Sequence, residues 1–487
     1  MNSSSQSQRV LLALACTALA LAPVTPALSQ SGGGLDLRQN VIAGGGGSSS
    51  SGNLQVAGTA GQPAAGILMS GGTFTQVGGF WPAVQSIPVF ASSIQFNATA
   101  YFVNEGSSRV DVTITRSGDT SGAASVGFAT SDPAGAQNCN VKNGFASSRC
   151  DYEARFATVR FAPGETSKTI SVFMVDDSYQ EGPETFNVIL SNSVGASLGT
   201  PGIATVTIID NDQTDGANPI DTAAFYVRQH YLDFLNREPD QSGLDFWIGN
   251  FTSCGNDQQC TDVKRINVSA AFYLSIEFQQ TGYLVERLYK IAYGDSLGIS
   301  TLNGTHQIAV PVVRLNEFLA DSQQIGEGVV VLQPGWEAVL ENNKRAFTSE
   351  FVQRSRFVNQ FSVAMTPAQF VDALFLNSGV TPSTAERSAA INEFAGAATS
   401  ADLGARGRAL RDVAENATLQ QRECNRAFVL LQYFGYLRRN PNDPQDSDYT
   451  GYDFWLNKLN RFNGNFVDAE MVKAFITSIE YRQRFAP

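Results

Sequence analysis

Between residues 88 and 212 apolar and polar positions alternate with a period of two. Val110, Val112 and Ile114 interleave with Asp111, Thr113 and Thr115, and the same rhythm runs through Phe186, Val188 and Leu190 and through Ala204, Val206 and Ile208. Alternation of this kind places every second side chain on one buried face, so these segments read as antiparallel strands. Several of them, joined by Gly, Asp and Pro turns, predict an all-β sandwich over 88–212. Residues 213–220 are polar and read as a linker. From 221 to 487 the period becomes helical: Met471, Val472, Phe475, Ile476 and Ile479 fall on one stripe. The expectation is a multidomain chain, a β-sandwich followed by an all-α module.

The helical half contains an internal repeat. The phrase running from Tyr231 through Arg237, Pro239, Gly243 and Asp245 to Phe246 and Trp247 returns, with an insertion, from Tyr433 through Arg439, Pro441, Gly451 and Asp453 to Phe454 and Trp455. Each copy is followed by a helix ending in a similar phrase, Ser275-Ile276-Glu277-Phe278 and Ser478-Ile479-Glu480-Tyr481. Two related helix–loop–helix units therefore bracket the module.

The first residues change the picture of where the chain works. Arg9, the apolar run Val10 to Ala22, and Pro23 and Pro26 before Ala27-Leu28-Ser29 have the order of a secretory signal, with cleavage expected near Ser29. The run is shorter than the roughly 20 residues that span a bilayer, and no later segment approaches that length, so no transmembrane segment is expected in the mature chain. The competing reading is a lipoprotein signal ending at Cys16 after Ala13-Leu14-Ala15. Residues 30–87 follow as a Gly/Ser-rich tether, in which Gly44 to Gly47 run directly into Ser48 to Ser51. At its end Gly71 to Trp81 alternates bulky and polar residues like a short hairpin, and resembles a glycine-rich β element found near the N-terminus of many exported bacterial proteins.

Composition adds three constraints. A net charge of −12 with no dense basic run makes nucleic acid a poor partner. Five cysteines follow Cys16: Cys139 with Cys150, and Cys254 with Cys260, are spaced to close short loops in an oxidising compartment, and Cys424 is left over. There are two histidines, His230 and His306, too few for a zinc site, and neither lies near Cys424 in sequence. No hydrolase elbow or metalloprotease motif is present, so no enzyme is expected.

The sharpest chemistry sits at strand ends in the sandwich: Glu105, Asp151, Asp176, Asp177, Glu181, Glu184, Asp210 and Asp212. If these turns share one end, the carboxylates converge with little cationic compensation, and a hard cation would have to neutralise them. Ca²⁺, with roughly 6–8 oxygen ligands and tolerance of irregular geometry, suits that set better than Mg²⁺ or zinc. The bland alternative is that acidic residues at strand ends cap turns and bind nothing.

Residues 92–212 resemble a Calx-beta domain, an immunoglobulin-like sandwich named from the calcium sensor of sodium–calcium exchangers. The phrases are Asn104-Glu105-Gly106, Cys150-Asp151-Tyr152-Glu153, Val159 to Glu165, Val175-Asp176-Asp177 through Glu181 and Glu184 to Phe186, and Ile209-Asp210-Asn211-Asp212. The resemblance implies Ca²⁺ ligation by all eight carboxylates. Ser178 and Asn211 stand where richer members carry another aspartate, which implies weaker affinity or fewer ions. Ser131 to Arg149, with its cysteine pair, reads as an insertion that could reposition Asp151.

The repeated helical phrase resembles a bacterial domain known as domain-of-unknown-function family 4214, which implies export or surface association and no chemistry. Its loops echo the start of an EF-hand: Asp446, Asp448, Thr450 and Gly451 in one copy, Glu238, Asp240, Ser242 and Gly243 in the other. Both lack the closing glutamate, for Asn457 and Gly249 stand there, and the competing reading is a turn that caps the next helix. The expected function is an exported, calcium-binding, non-catalytic surface or secreted protein of adhesion, matrix or assembly, meeting a cell-surface protein or polysaccharide. The alternative makes the helical module an uncharacterised enzyme or glycan-binding unit displayed by the sandwich.

Overall fold

The computed structural model describes residues 91–134 and 139–487 and, between residues 31 and 76, the backbone of six short strands. Those six form three antiparallel ribbons, Ser31–Gly32 with Leu35–Asp36, Gly46–Ser51 with Leu54–Thr59, and Met69–Gly71 with Phe74–Gln76. The last of these overlaps the short hairpin expected from Gly71 onward. The signal sequence expected over 1–29 lies outside the described residues.

The sandwich is built from β1 (Ser93–Phe96), β2 (Ala100–Asn104), β3 (Arg109–Ser117), β4 (Ala124–Ser131), β5 (Phe156–Phe161), β6 (Ser167–Phe173), β7 (Glu184–Val194), β8 (Ser197–Leu198) and β9 (Ile203–Ile209). One sheet runs β5-β4-β7-β9-β2 and the other β6-β3-β1-β8. Pairing is antiparallel except where β2 lies beside β9 and β8 beside β1. The alternation in the sequence becomes the core: Val110, Val112, Ile114, Phe186, Val188, Leu190, Ala204, Val206 and Ile208 are all buried between the sheets. Tyr152 stacks on Phe186 at 3.9 Å, closing the end of that core where the acidic residues collect.

The helical region comprises α1 (Ala223–Leu235), α2 (Gln241–Thr252), α3 (Gln258–Leu274), α4 (Ile276–Gln280), α5 (Gly282–Tyr293), α6 (Leu315–Gly326), α7 (Trp336–Phe351), α8 (Ser355–Gln360), α9 (Pro367–Ser378), α10 (Thr384–Asn392), α11 (Leu403–Ala414), α12 (Ala417–Gln432), α13 (Thr450–Arg461), α14 (Met471–Ile476) and α15 (Ile479–Arg482). It is helical as expected, with two departures, the first being that Asp295–Ser300 (β10) and His306–Pro311 (β11) form an antiparallel hairpin. That segment is rich in β-branched residues around Asn303-Gly304, a turn signal the helical periodicity of its neighbours overrode. A second departure is local. Met471, Val472, Phe475 and Ile476 are buried, whereas Ile479 is 73% exposed. The helix stops at Ile476, and Ser478 caps a new one by accepting a hydrogen bond from the Tyr481 amide, which turns Ile479 outward.

The two repeat copies face each other. Phe234 of α1 meets Tyr436, which follows α12 in a π-turn, at 5.1 Å. Gly435 makes that approach possible, since a Cβ there would lie 2.8 Å from the Phe234 ring. The sandwich and the helices belong to one compact unit, Phe90–Pro487. The 213–220 linker is held at three points. Asp215 accepts from the Gln180 amide at 3.0 Å, Gly216 N donates to Ser178 O at 2.9 Å, and Asn218 Nδ2 donates to Arg482 O at 2.9 Å.

Candidate metal centre

Four strand ends and one disulfide-bounded loop bring the carboxylates together. Glu105 follows β2, Asp176 and Asp177 follow β6, Glu184 opens β7, and Asp210 and Asp212 follow β9. Asp151 arrives from the insertion, directly after Cys150, whose disulfide to Cys139 spans 5.6 Å between Cα atoms. Backbone bonds lock these loops to one another: Glu105 N donates to Ile209 O at 3.0 Å, and Val175 N to Asp151 O at 2.9 Å. Glu105, Asp177 and Asp212 form one group, and Asp151, Glu181 and Glu184 a second. Within each, one oxygen per residue lies within 4.8 Å of the others.

The remaining two of the eight sit alongside. Asp210 Oδ2 accepts from the Glu181 and Gly182 amides at 2.8 and 2.7 Å, and its Oδ1 from Asp212 N at 2.6 Å, so it shapes the turn that presents Glu181. Gly182, at φ +81°, supplies the left-handed conformation that turn needs. Asp176 is exposed and accepts from Asn211 Nδ2 at 3.0 Å. Ser178, the other position where a further aspartate was absent, donates through both N and Oγ to Phe485 O. Both departures from the acid-rich pattern therefore carry structural bonds.

Among the described residues no basic side chain forms an ion pair with the cluster. Burial, reinforced by neighbouring carboxylates, pushes Glu105 up to about 8 and Glu181 and Glu184 each up to about 9. Burial also raises Asp151 to about 7 and holds Asp177 well above the usual carboxylate range, and Asp212 shifts the same way. The charges that shift these groups upward are other carboxylates. Asp177 Oδ2, Glu184 Oε1 and Asp212 Oδ2 are buried oxygens with no hydrogen-bond partner. Buried acceptors of this kind are costly unless something coordinates them. Each of the two groups contains at least one. The donor set fits a hard, oxygen-preferring cation, and a Ca²⁺ ion at each group would be held by three carboxylates.

The EF-hand-like loops are capped turns. Asp240 accepts from Gly243 N at 2.9 Å and Ser242 Oγ at 2.6 Å; Asp448 accepts from Thr450 N at 2.8 Å, and Asp446 from Arg439 Nη2 at 2.8 Å. Trp247 and Trp455 pack against the helical core, as that reading requires. Cys254 and Cys260 form the second disulfide, and Cys424 is an exposed thiol without a disulfide. His230 is fully buried between Tyr226 O and Ser269 Oγ, and burial lowers it to about 3, so it is a neutral core residue.

Sequence reasoning passed over a second buried cluster, between the sandwich and the helices. Glu153 pairs with Arg438, Arg484 Nη1 lies 3.2 Å from Asp233, and Gln229 Nε2 donates to Glu153 Oε1 at 3.0 Å. Beside it Arg149 and Arg439 both hold Glu480, at 2.7 and 2.6 Å. The only signal was acid or base at every second position of Arg149, Asp151 and Glu153; Arg438 and Arg484 carry none locally.

Residues 90–212 match the model of the Calx-beta domain, and residues 212–281 match that of a domain of unknown function, DUF4214. Among curated relatives, Extracellular matrix protein 3 of Lytechinus variegatus is 32% identical over 126 residues, 24% of this chain and 4% of that protein. Sodium/calcium exchanger 1 of Canis lupus familiaris is 36% identical over 140 residues, 25% of this chain and 13% of that protein. The chain thus spans between 4% and 13% of the length of these relatives. Among solved structures, the apo-form Calx CBD1 domain shares 32% identity over 25% of this chain and 99% of its own, with a TM-score of 0.22. The calcium binding domain CBD12 of CALX1.1 shares 32% over 24% and 46%, also with a TM-score of 0.22. With the sandwich and its strand-end carboxylates in place, the two family models establish that the chain carries a Calx-beta domain over residues 90–212 that runs directly into a DUF4214 segment over 212–281.

Proposed function

We propose that this protein is an exported bacterial Ca²⁺-binding protein with no catalytic role, in which the acidic end of the sandwich holds up to two ions. The observation that carries the reading is the pair of carboxylate triads with unpartnered buried oxygens. Glu105, Asp177 and Asp212 hold one ion and Asp151, Glu181 and Glu184 the other, with Asp210 and Asp176 positioning the turns. Relatives named as sodium/calcium exchangers, and a solved relative described as a calcium binding domain, support calcium as the ion; one named as an extracellular matrix protein supports work outside the cell in adhesion, matrix or assembly. Calorimetric titration of the chain with Ca²⁺ tests it: saturable binding is expected, with no comparable response to Mg²⁺, and absence of binding at millimolar Ca²⁺ would overturn the reading.

A second reading, a glycan-binding helical module, is favoured by one feature. A groove of about 590 Å³ runs beside Trp247, lined by Tyr231, Arg237, Phe246, Ile276 and Leu332. Phe246 is 63% exposed there, an aromatic face set beside polar groups in a concave site. Polysaccharide binding that Phe246→Ala abolishes would support it; binding unaffected by the substitution would remove the groove from consideration.

A further inference from the structure

We propose that Ca²⁺ at the sandwich and docking of residues 480–486 against it form one coupled switch, in which ion binding clamps this segment of the helical region. The inference rests on the calcium reading above and extends it to what the ion controls.

Both ligand-bearing loops hold this segment within two residues of a ligand. Asp177 Oδ1 accepts from the Tyr179 amide at 2.8 Å while Asp177 N donates to Glu105 Oε1 at 3.1 Å, so the carboxylates themselves fold the Asp177–Tyr179 turn. The next two residues are the clamp. Ser178 N and Oγ donate to Phe485 O at 3.0 and 3.1 Å, and Tyr179 OH donates to Ala486 O at 2.7 Å and lies 3.0 Å from Gln483 O. On the other loop, two residues before Asp151, Arg149 Nη2 donates to Glu480 Oε1 at 2.7 Å and Arg149 O accepts from Arg484 Nε at 2.9 Å. Two residues after Asp151, Glu153 pairs with Arg438.

The physical link is the joining of loops by the ion. A cation held by Glu105, Asp177 and Asp212 would join the three loops that carry them, and one held by Asp151, Glu181 and Glu184 would join the Asp151 loop to the Glu181–Glu184 turn. Without it, buried oxygens of Asp177, Asp212 and Glu184 have no partner to fix them. The Asp177–Tyr179 turn and the Arg149–Glu153 stretch then lose the fixed geometry that aims their donors at residues 480–486. A bound ion reverses that, favouring the docked state by its differential affinity. Linkage requires reciprocity: whatever factor calcium adds to docking, docking adds to calcium affinity, typically about 5- to 150-fold.

Hydrogen exchange on the intact chain, with Ca²⁺ and with a chelator, reads the first half. Slowing of exchange by about fivefold or more in peptides covering 479–487 is expected on adding Ca²⁺. Calcium titration of the Ser178→Ala, Tyr179→Phe double variant reads the second. It keeps every carboxylate, so it should still bind Ca²⁺, but about fivefold or more weaker and without the calcium-dependent slowing of 479–487. Binding by the unaltered chain with unchanged exchange in 479–487 overturns the coupling and leaves the calcium reading intact. No binding by the unaltered chain overturns both. Should the double variant fail to fold, the exchange comparison on the unaltered chain decides alone.

Discussion

Filling the carboxylate site with Ca²⁺ should expel protons, and the structure sets how many. Burial holds Glu105 at about 8 and Glu181 and Glu184 at about 9, with Asp151 at about 7. At pH 7 a carboxyl titrating near 9 keeps its proton, and one near 7 keeps it about half the time. Ligating oxygens must be deprotonated, so at least about three protons leave as both groups load, with Asp177, also held above the usual range, adding to them. The same shifts fix the sign of the pH dependence without calcium. The folded values lie above the ordinary carboxylate value near ~4, so the folded chain binds more protons than the unfolded one between them. That contribution to stability is fully present at about pH 4 and below, and is lost as pH rises through 7 to 9. Calorimetric titrations at pH 7 in buffers of different ionisation enthalpy count the released protons from the slope of apparent enthalpy. Melting temperatures in chelator from pH 5 to pH 9 should fall, and saturating Ca²⁺ should flatten the curve. A slope of zero with a flat chelator curve would refute the buried, uncompensated site.

Two further outcomes follow from the same geometry. Asp151→Asn with Glu184→Gln should weaken Ca²⁺ affinity by about tenfold or more, because ligand charge sets affinity at such sites. The same pair should raise the chelator melting temperature above pH 7, because it relieves repulsion; a lowered temperature there would contradict the electrostatic account. Arg484→Met should cost about 3–5 kcal/mol in denaturant unfolding, since Asp233 and Glu153 would stay buried with a partner removed.

The sandwich was legible in the sequence because one face of each strand is buried and the period is two: Val110, Val112 and Ile114 could be named as core before any contact was known. The helical half was legible as helix, and its repeat showed through Trp247 and Trp455. The β10–β11 hairpin was not, since short strands inside a helical context leave only the Asn303-Gly304 turn as a signal. At the site, all eight carboxylates could be named, but their division was hidden. Whether a strand-end aspartate faces a ligand or an amide depends on the turn, and Asp210 is turned toward the Glu181 and Gly182 amides. Asp240 and Asp448 show the same limit, their acid spacing being consumed by helix and turn capping. The Glu153 cluster was hidden for another reason: its partners Asp233, Arg438 and Arg484 are brought together by tertiary packing alone.

Arginine placement argues that the acidic end is more than a set of solvated turns. Elsewhere in the sandwich two acids are met by nearby bases: Arg109 lies 3.1 Å from Asp111, and Lys168 lies 2.8 Å from Glu165. Around the stretch that carries Asp151, four arginines are each held by an acid outside the triads. Arg149 and Arg439 are on Glu480, Arg438 is on Glu153, and Arg484 is on Asp233. Turn capping alone would be served as well by an arginine folded over Asp151 or Asp177, and better by the gain in Coulomb energy. Keeping every guanidinium engaged outside the triads leaves buried carboxylate oxygens without partners, a costly arrangement in the free protein. On the proposed reading a divalent cation would turn that cost into affinity, and the arginines held by other acids tie neighbouring loops to residues 480–486 and to the helices.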